Sequence, residues 1–397
     1  MDCNTSALGV KGGSQGFVFE IGGLLAVLRG LTDKRKARGK RYPLETILFF
    51  VILAKLCGAD NLSAVTEWVR NRIVALAQVL DLKRVQAPHN STYSRVLGNA
   101  VDENEVEQMV AHYLMNLPGV GKSTVVAIDG KTLRGTIPAG QTRGRHLLVA
   151  CLPQEGIVLM QIEVPGKDGE VTAAPRLLET IDLRGKVVTG DALYAHREIS
   201  LQIVEQGGDY VWPVKDNQPK LKEDIALLFE PELYSPGFSP ALTDFRTART
   251  IDSGHGRIER RTITVSGELK GYLDWPGVEQ VFKLDRHVTR QSDKKKSSEI
   301  AYGITSLSAR RACPKRLLSI VRSHWGIENG LFYRRDYTLR EDHSQVRMGD
   351  APKVLAAIHN LIIGLIRTLG FDYLPPARRH FADHLDQAIA LLLGSPA

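Results

Sequence analysis

The chain is poor in cysteine and aromatic residues and has no long apolar run. Its four cysteines, Cys3, Cys57, Cys151 and Cys313, are scattered over 397 residues. None belongs to a C-x-x-C pair or stands with histidine at zinc-finger spacing, which excludes a disulfide framework and a structural zinc site. A reducing, intracellular setting follows. The stretch from Leu44 to Cys57 is apolar but too short for a membrane span, and it carries Glu45 and Lys55. The N-terminus lacks a basic segment leading into a cleavable apolar one, so the expectation is a soluble, cytoplasmic protein. An excess of acid is missing too. Lys and Arg outnumber Asp and Glu by 52 to 44, for a net charge of +8, which favours a polyanionic partner. With 43% hydrophobic and 24% charged residues, the composition is that of a globular protein long enough for two or three domains.

Residues 1–20 read as a loose leader. From 21 to 118 the pattern is helical, with apolar residues three and four apart over Leu24–Leu31, Leu44–Cys57, Ser63–Leu80, Ser91–Leu97 and Glu103–Leu117. Between the first two helices lies a basic run containing Lys34, Arg35, Lys36, Arg38, Lys40 and Arg41. Such a run is a solvated loop or a phosphate-gripping arm. His89 to Arg95 opens a short helix with small polar residues, as a plain N-cap or as a helix end presented to DNA.

From Val125 strands and helices alternate. Val125–Ile128, His146–Cys151, Ile157–Val164, Lys186–Thr189 and Asp209–Val214 read as strands; Ala173–Ile181, His196–Gln206 and 217–230 read as helices. Three strands before the first helix is an RNase H-like order. Residues 243–307 turn β-rich, with strands over Arg257–Val265, Gln280–Thr289 and Ser298–Thr305, and read as an inserted sheet. Helices return over Pro314–Asn329 and Ala351–Leu369, followed by a basic linker and a last apolar helix. Gly119 to Thr124 imitates the end of a P-loop. Asn116 stands where its first glycine belongs, and the run precedes a strand instead of following one, so it reads as a linker.

Two carboxylates stand out. Asp129 ends the apolar run Val125–Ile128, and Asp191 ends Val187–Gly190. A β-branched run that stops at an Asp reads as a central strand delivering a carboxylate to the edge of a sheet, where open α/β folds place their sites. A turn former or helix cap explains either Asp alone. Together they suit Mg²⁺, because hard divalent cations take oxygen ligands and a pair of them can clamp both oxygens of an in-line phosphoryl displacement.

Five segments extend the pattern: Val126 to Gly135; Thr189 to Ala192; Asp209 to Val211 with Lys215 to Pro219; Gly254 to Arg261; and His324-Trp325-Gly326-Ile327-Glu328-Asn329. In that order they resemble the motifs of the ISAs1 family of insertion-sequence transposases, the H-repeat-associated proteins of the DDE, IS4-like group. The basic run before Tyr42-Pro43-Leu44, and Leu56 to Ala59, resemble its associated helical domain, so the likeness spans roughly residues 22 to 370. It implies an α/β fold: an RNase H-like catalytic core over 119–370 with a β-rich insertion at about 231–312, an all-α DNA-binding domain over 21–118, and a tail helix within 371–397.

The resemblance also implies an endonuclease and polynucleotidyl transferase with Asp129, Asp191 and Glu328 as catalytic and metal-binding residues. They would hold two Mg²⁺ ions, with Mn²⁺ able to substitute. The partners implied are double-stranded DNA, as terminal inverted repeats and as target, and a second copy in a synaptic homodimer. No membrane and no small-molecule substrate are expected, and the setting is nucleoid-associated in a bacterial cytoplasm. Asp336, Glu341 and Asp342 follow Glu328 closely and compete with it as the third ligand.

Where the IS4-like group places Tyr, Arg, Glu and Lys on one helix face, this chain has Val321, His324, Glu328 and Arg335. Spacings of four and seven put His324 and Arg335 on the face of Glu328, within reach of a phosphate. Lys131, Arg134, Lys215 and Arg257, with His255 and the rest of its hairpin to Arg261, are further candidates to face DNA. Trp212 and Trp275 read as packing residues in preference to base-stacking ones, and Trp325 as packing its helix against the sheet. Two rivals are a domesticated transposase that binds DNA without strand transfer, and an RNase H-like nuclease that cuts without joining.

Overall fold

A computed structural model describes residues 23–165, 169–230, 244–254 and 256–394. The leader at 1–20 and His255 therefore lie outside the described residues. The helical N-terminal stretch comprises α1 (Leu24–Leu28), α2 (Leu44–Leu56), α3 (Leu62–Arg70), α4 (Ile73–Val79), α5 (Asn90–Asn99) and α6 (Glu103–Met115). The span Ser63–Leu80 is two helices, broken at Asn71 and Arg72. Helix α2 is apolar all round and buried all round, as a helix without a polar face must be. Its Lys55 hides its stem in that packing and donates to the carbonyl of Asp60 at 3.2 Å. Among the described residues no helix is long and apolar enough to cross a membrane.

Strands β1 (Val125–Leu133), β2 (Arg145–Leu152) and β3 (Ile157–Val164) precede α7 (Glu170–Glu179). Then come β4 (Val187–Thr189), α8 (Arg197–Glu205), β5 (Asp209–Val214) and α9 (Pro219–Leu228). The β-rich stretch supplies β6 (Arg246–Gly254), β7 (Arg257–Ser266), β8 (Gln280–Arg290) and β9 (Lys296–Thr305). It is not a separate sheet. β9 pairs antiparallel with β5, Val211 opposite Thr305, so the nine strands of the described residues form one sheet in the order β3-β2-β1-β4-β5-β9-β8-β7-β6. Only β4 pairs parallel to its neighbours, β1 and β5; the remaining pairings are antiparallel. β6 escapes a reading by alternation because, apart from the exposed Ile251, its residues 246–254 are polar, glycine or alanine, and none of them is fully buried.

Helix α10 (Pro314–His324) lies across the sheet, burying Leu317, Leu318 and Ile320 against Val125, Val187, Val211 and Ile263. Two wide π-type turns follow, Ile327–Phe332 and Arg334–Thr338. Helix α11 (Ala351–Thr368) buries sixteen of its eighteen residues, packed against α2, α5 and α6 on one side and β3 on the other. Helices α12 (Leu374–Asp383) and α13 (Leu385–Leu393) close over α2. One apolar cluster runs from Leu24 through the sheet to Leu392. The change near residue 118 is thus a change of secondary structure without a break in the core. There Glu155 accepts from the N–H groups of Gly121 and Ser123, at 2.7 and 2.6 Å, so the P-loop imitation spends its donors within the protein.

Candidate active site

The parallel pairing of β1 with β4 sets Ala127 opposite Thr189. Asp129 and Asp191 each lie two residues further on, level with one another. Asp129 does not end its strand: β1 continues to Leu133 on β2, with Asp129 opposite Val149. Asp191 does follow its strand, where it caps a short turn by accepting from the N–H of Leu193 at 2.8 Å. Glu328 stands exposed in the first wide turn after α10, which packs beside β1. Wide turns of this kind are rare and concentrate at functional sites.

Burial pushes the Asp129 carboxyl up to about 7, and Glu170, Glu328 and Asp191 add to the rise. Only its neighbour's N–H, from Gly130 at 2.8 Å, opposes them. Asp191 is also raised, by burial first and then by Glu170, with Lys215 opposing. Three chain segments therefore bring carboxylates within electrostatic reach of one another, and neither Asp129 nor Asp191 is ion-paired among the described residues. Their all-oxygen character and mutual repulsion suit a hard divalent cation. Among the described residues, no three His, Cys, Asp or Glu side chains are already gathered to hold a metal ion.

Glu170, in the first turn of α7, went unnoticed in the sequence. Burial would raise its carboxyl, but hydrogen bonds from His146 and Tyr194 outweigh that and hold it below the ordinary range. His146 Nε2 lies 2.8 Å away, and the Tyr194 hydroxyl donates to the other oxygen. The carboxylate rests on Gly130: a Cβ there would come within 2.2 Å of Glu170 Oε1. Glu170 thus ties the strand of Asp129 to the turn after Asp191. The glycine beside Asp129 is the one signal of it that the sequence carried.

The competing acids are engaged elsewhere. Lys131 is buried and ion-paired with Asp336, with Glu341 and Asp342 each 4.0 Å away. Arg335 is fully buried, 2.8 Å from Glu341 and donating to Gln161 at 3.1 Å. Arg335 therefore has no surface for a phosphate to reach, and Lys131, 6% exposed, spends its charge on Asp336, which corrects their reading as DNA-facing. A spacing of seven fails because wide turns take more residues per revolution, and Arg335 rotates into the core. His324 stays beside Glu328's turn, but burial pulls it down to about 4, so at neutral pH it carries no charge for a phosphate. Its Nδ1 lies 3.5 Å from the Thr189 hydroxyl.

Residues 121–365 match the family model described as the transposase DDE domain, and residues 25–114 match the model described as DDE_Tnp_1-associated. The chain belongs to the DDE transposase family. It is 27% identical over 355 residues to "Putative transposase YncI" of Escherichia coli O157:H7, covering 87% of this chain and 88% of that one. To "H repeat-associated putative transposase YhhI" of E. coli K12 it is 26% identical, covering 87% and 91%. A cryo-EM structure of a piggyBac transposase synaptic complex with hairpin DNA superposes with a TM-score of 0.42 at 11% identity, covering 93% of this chain and 77% of that one.

In this DNA transposase the remaining basic candidates divide by partner. Lys34 is bonded to Asp102 at 2.8 Å, and Arg35 spends its guanidinium on Asp33 and the carbonyl of Tyr42. Lys40 lies 3.7 Å from Asp33. Lys36, Arg38 and Arg41 are exposed. Arg134 is exposed beside Asp342, Lys215 is exposed near Asp191, and Arg257 is exposed 3.9 Å from the buried Glu259. Trp212 and Trp275 are buried and both donate to the Ser200 hydroxyl at 3.1 Å, as packing residues do. Trp325 is 54% exposed, so it does not pack α10 on the sheet; Leu317 and Leu318 do.

Proposed function

We propose that Asp129, Asp191 and Glu328 are the catalytic carboxylates of an ISAs1-type transposase, set on an RNase H-like core formed by β1 to β5. In this reading the chain cuts the ends of its element and joins the freed 3′-OH to target DNA. The observation that carries it is the convergence of the three acids from β1, the end of β4 and the first wide turn, close enough that two of them raise the third.

Two Mg²⁺ ions bound there would supply charge neutralisation at the phosphoryl group and activation of the attacking oxygen. Asp129 would hold them from β1, Asp191 from the turn that follows the adjacent β4, and Glu328 from the first wide turn. Glu170 positions the pair by fastening Tyr194, three residues past Asp191, over Gly130, one past Asp129. Lys215, near enough to Asp191 to oppose the rise of its carboxyl, would meet the scissile phosphate there. No side chain is called on as a covalent nucleophile, so water and then the 3′-OH attack in line. A homodimer would bring the two element ends together.

The test uses purified protein with Mg²⁺ and a supercoiled plasmid bearing the DNA that flanks its gene, beside the Asp129→Ala variant. Cuts at the flanking repeats with joined products, absent from the variant, are expected. Cutting without joining would replace this reading with a nuclease, and specific binding without cutting with a domesticated protein.

A further inference from the structure

Three cavities of about 590, 920 and 630 Å³ share lining residues and form one groove. His89, at the N-terminus of α5, belongs to the first two; Asp60, Arg340 and His343 belong to the second and third. The groove therefore begins at Arg38, Arg41 and Arg95, passes the start of α5, and ends at Tyr337 in the second wide turn after Glu328. Arginines outnumber aspartates along it by eight to two. One of those aspartates, Asp60, is bonded to Arg378 at 3.1 Å, and the other, Asp336, to Lys131. The net field is positive, as a phosphate backbone requires.

At the Tyr337 end the lining changes character. Tyr337 is 72% exposed and Tyr333 54%, yet the rings stack on one another with centroids 4.6 Å apart. Burial does not explain two large aromatics held in this way on the surface. Beside them Arg340 adopts a left-handed backbone, φ 54°, which a non-glycine residue keeps only where its surroundings impose it. A cationic track leading to an exposed aromatic platform is the combination that holds unpaired nucleic acid, since phosphates take the charge and bases the ring faces.

We infer that this groove receives a single DNA strand, its backbone lying along Arg41, Arg95 and Arg340 and an unpaired base stacked on the Tyr337 and Tyr333 pair. The inference rests on the transposase reading and adds to it the path of an unpaired strand from the start of α5 to the second wide turn. A fluorescein-labelled oligonucleotide and its duplex are titrated, in EDTA, into the wild type, Tyr337→Ala, Tyr337→Phe, the double variant Arg41→Ala/Arg340→Ala, and Asp129→Ala. Tyr337→Ala is expected to weaken single-strand binding about tenfold, the loss of one stacked base. Tyr337→Phe keeps the affinity. The arginine double variant weakens binding and flattens its dependence on salt. Duplex affinity changes less than twofold in all of them.

Because Tyr337 is exposed, circular dichroism melting should match the wild type. Normal single-strand binding by Tyr337→Ala, or an equal loss for single strand and duplex, overturns the proposal. The catalytic reading stands or falls separately. Asp129→Ala binds the strand normally but does not cut, whereas a groove variant that cuts fully and binds normally refutes the groove alone.

Discussion

Asp129 is held at a cost to the fold, and replacing it should make the metal-free protein more stable. Its carboxyl sits at about 7 against an ordinary 3.8, chiefly through burial and then through Glu170, Glu328 and Asp191. Below pH 4 the carboxyl is protonated whether the chain is folded or unfolded, and Asp129 has no effect. Between about 4 and 7 the unfolded chain ionises it while the folded chain does not. The folded state then binds the extra proton, so stability falls as pH rises through that window, and above about 7 the whole cost is present. The gap corresponds to a ceiling of about 4 kcal/mol. Rotation of the carboxylate toward solvent relieves part of it, so Asp129→Asn is expected to raise the unfolding free energy by about 1–3 kcal/mol at pH 8. The gain should vanish near pH 4. Urea unfolding in EDTA at both pH values measures it. With Mg²⁺ the order should reverse, since only the wild type gains binding free energy from the ion. Equal stabilities at pH 8 in EDTA, or a gain that persists at pH 4, would refute the reasoning.

Arg335→Ala should lower stability by about 3–5 kcal/mol, because it strips the buried Glu341 of its nearest cation and leaves it with His359 and with Lys131, which is 4.0 Å away and already paired with Asp336. Urea titration reads this, and the folded fraction should keep its DNA affinity, which a phosphate-contacting arginine would not allow. Gly130→Ala should cost about 1–3 kcal/mol by driving a methyl group into Glu170. In the double variant with Glu170→Ala most of that cost should disappear, and a double-mutant cycle measures the coupling.

Much of the catalytic half was legible along the chain because its strands are short, mostly apolar runs with most of their residues buried. Ile157–Val164 and Asp209–Val214 have the bounds that alternation and composition suggested. Elements whose pattern depends on a partner were not legible. Polar β6 is a strand because β7 pairs with it along its whole length. The extension of the sheet through β9 depends on one antiparallel edge pairing with β5. In the site, the spacing rule for a regular helix placed His324 and Arg335 beside Glu328, and the two wide turns broke that rule for Arg335.

The sequence by itself determined the alternation of elements, the positive charge and the two strand-borne aspartates, since each depends on local pattern or composition. Only the tertiary structure decided which charges are available. Lys131 and Arg335 are buried among Asp336 and Glu341, while Glu170 is drawn from a distant helix onto Gly130. Whether a side chain meets solvent, a counter-ion or another carboxylate is set by residues far away in sequence, and periodicity carries no record of them.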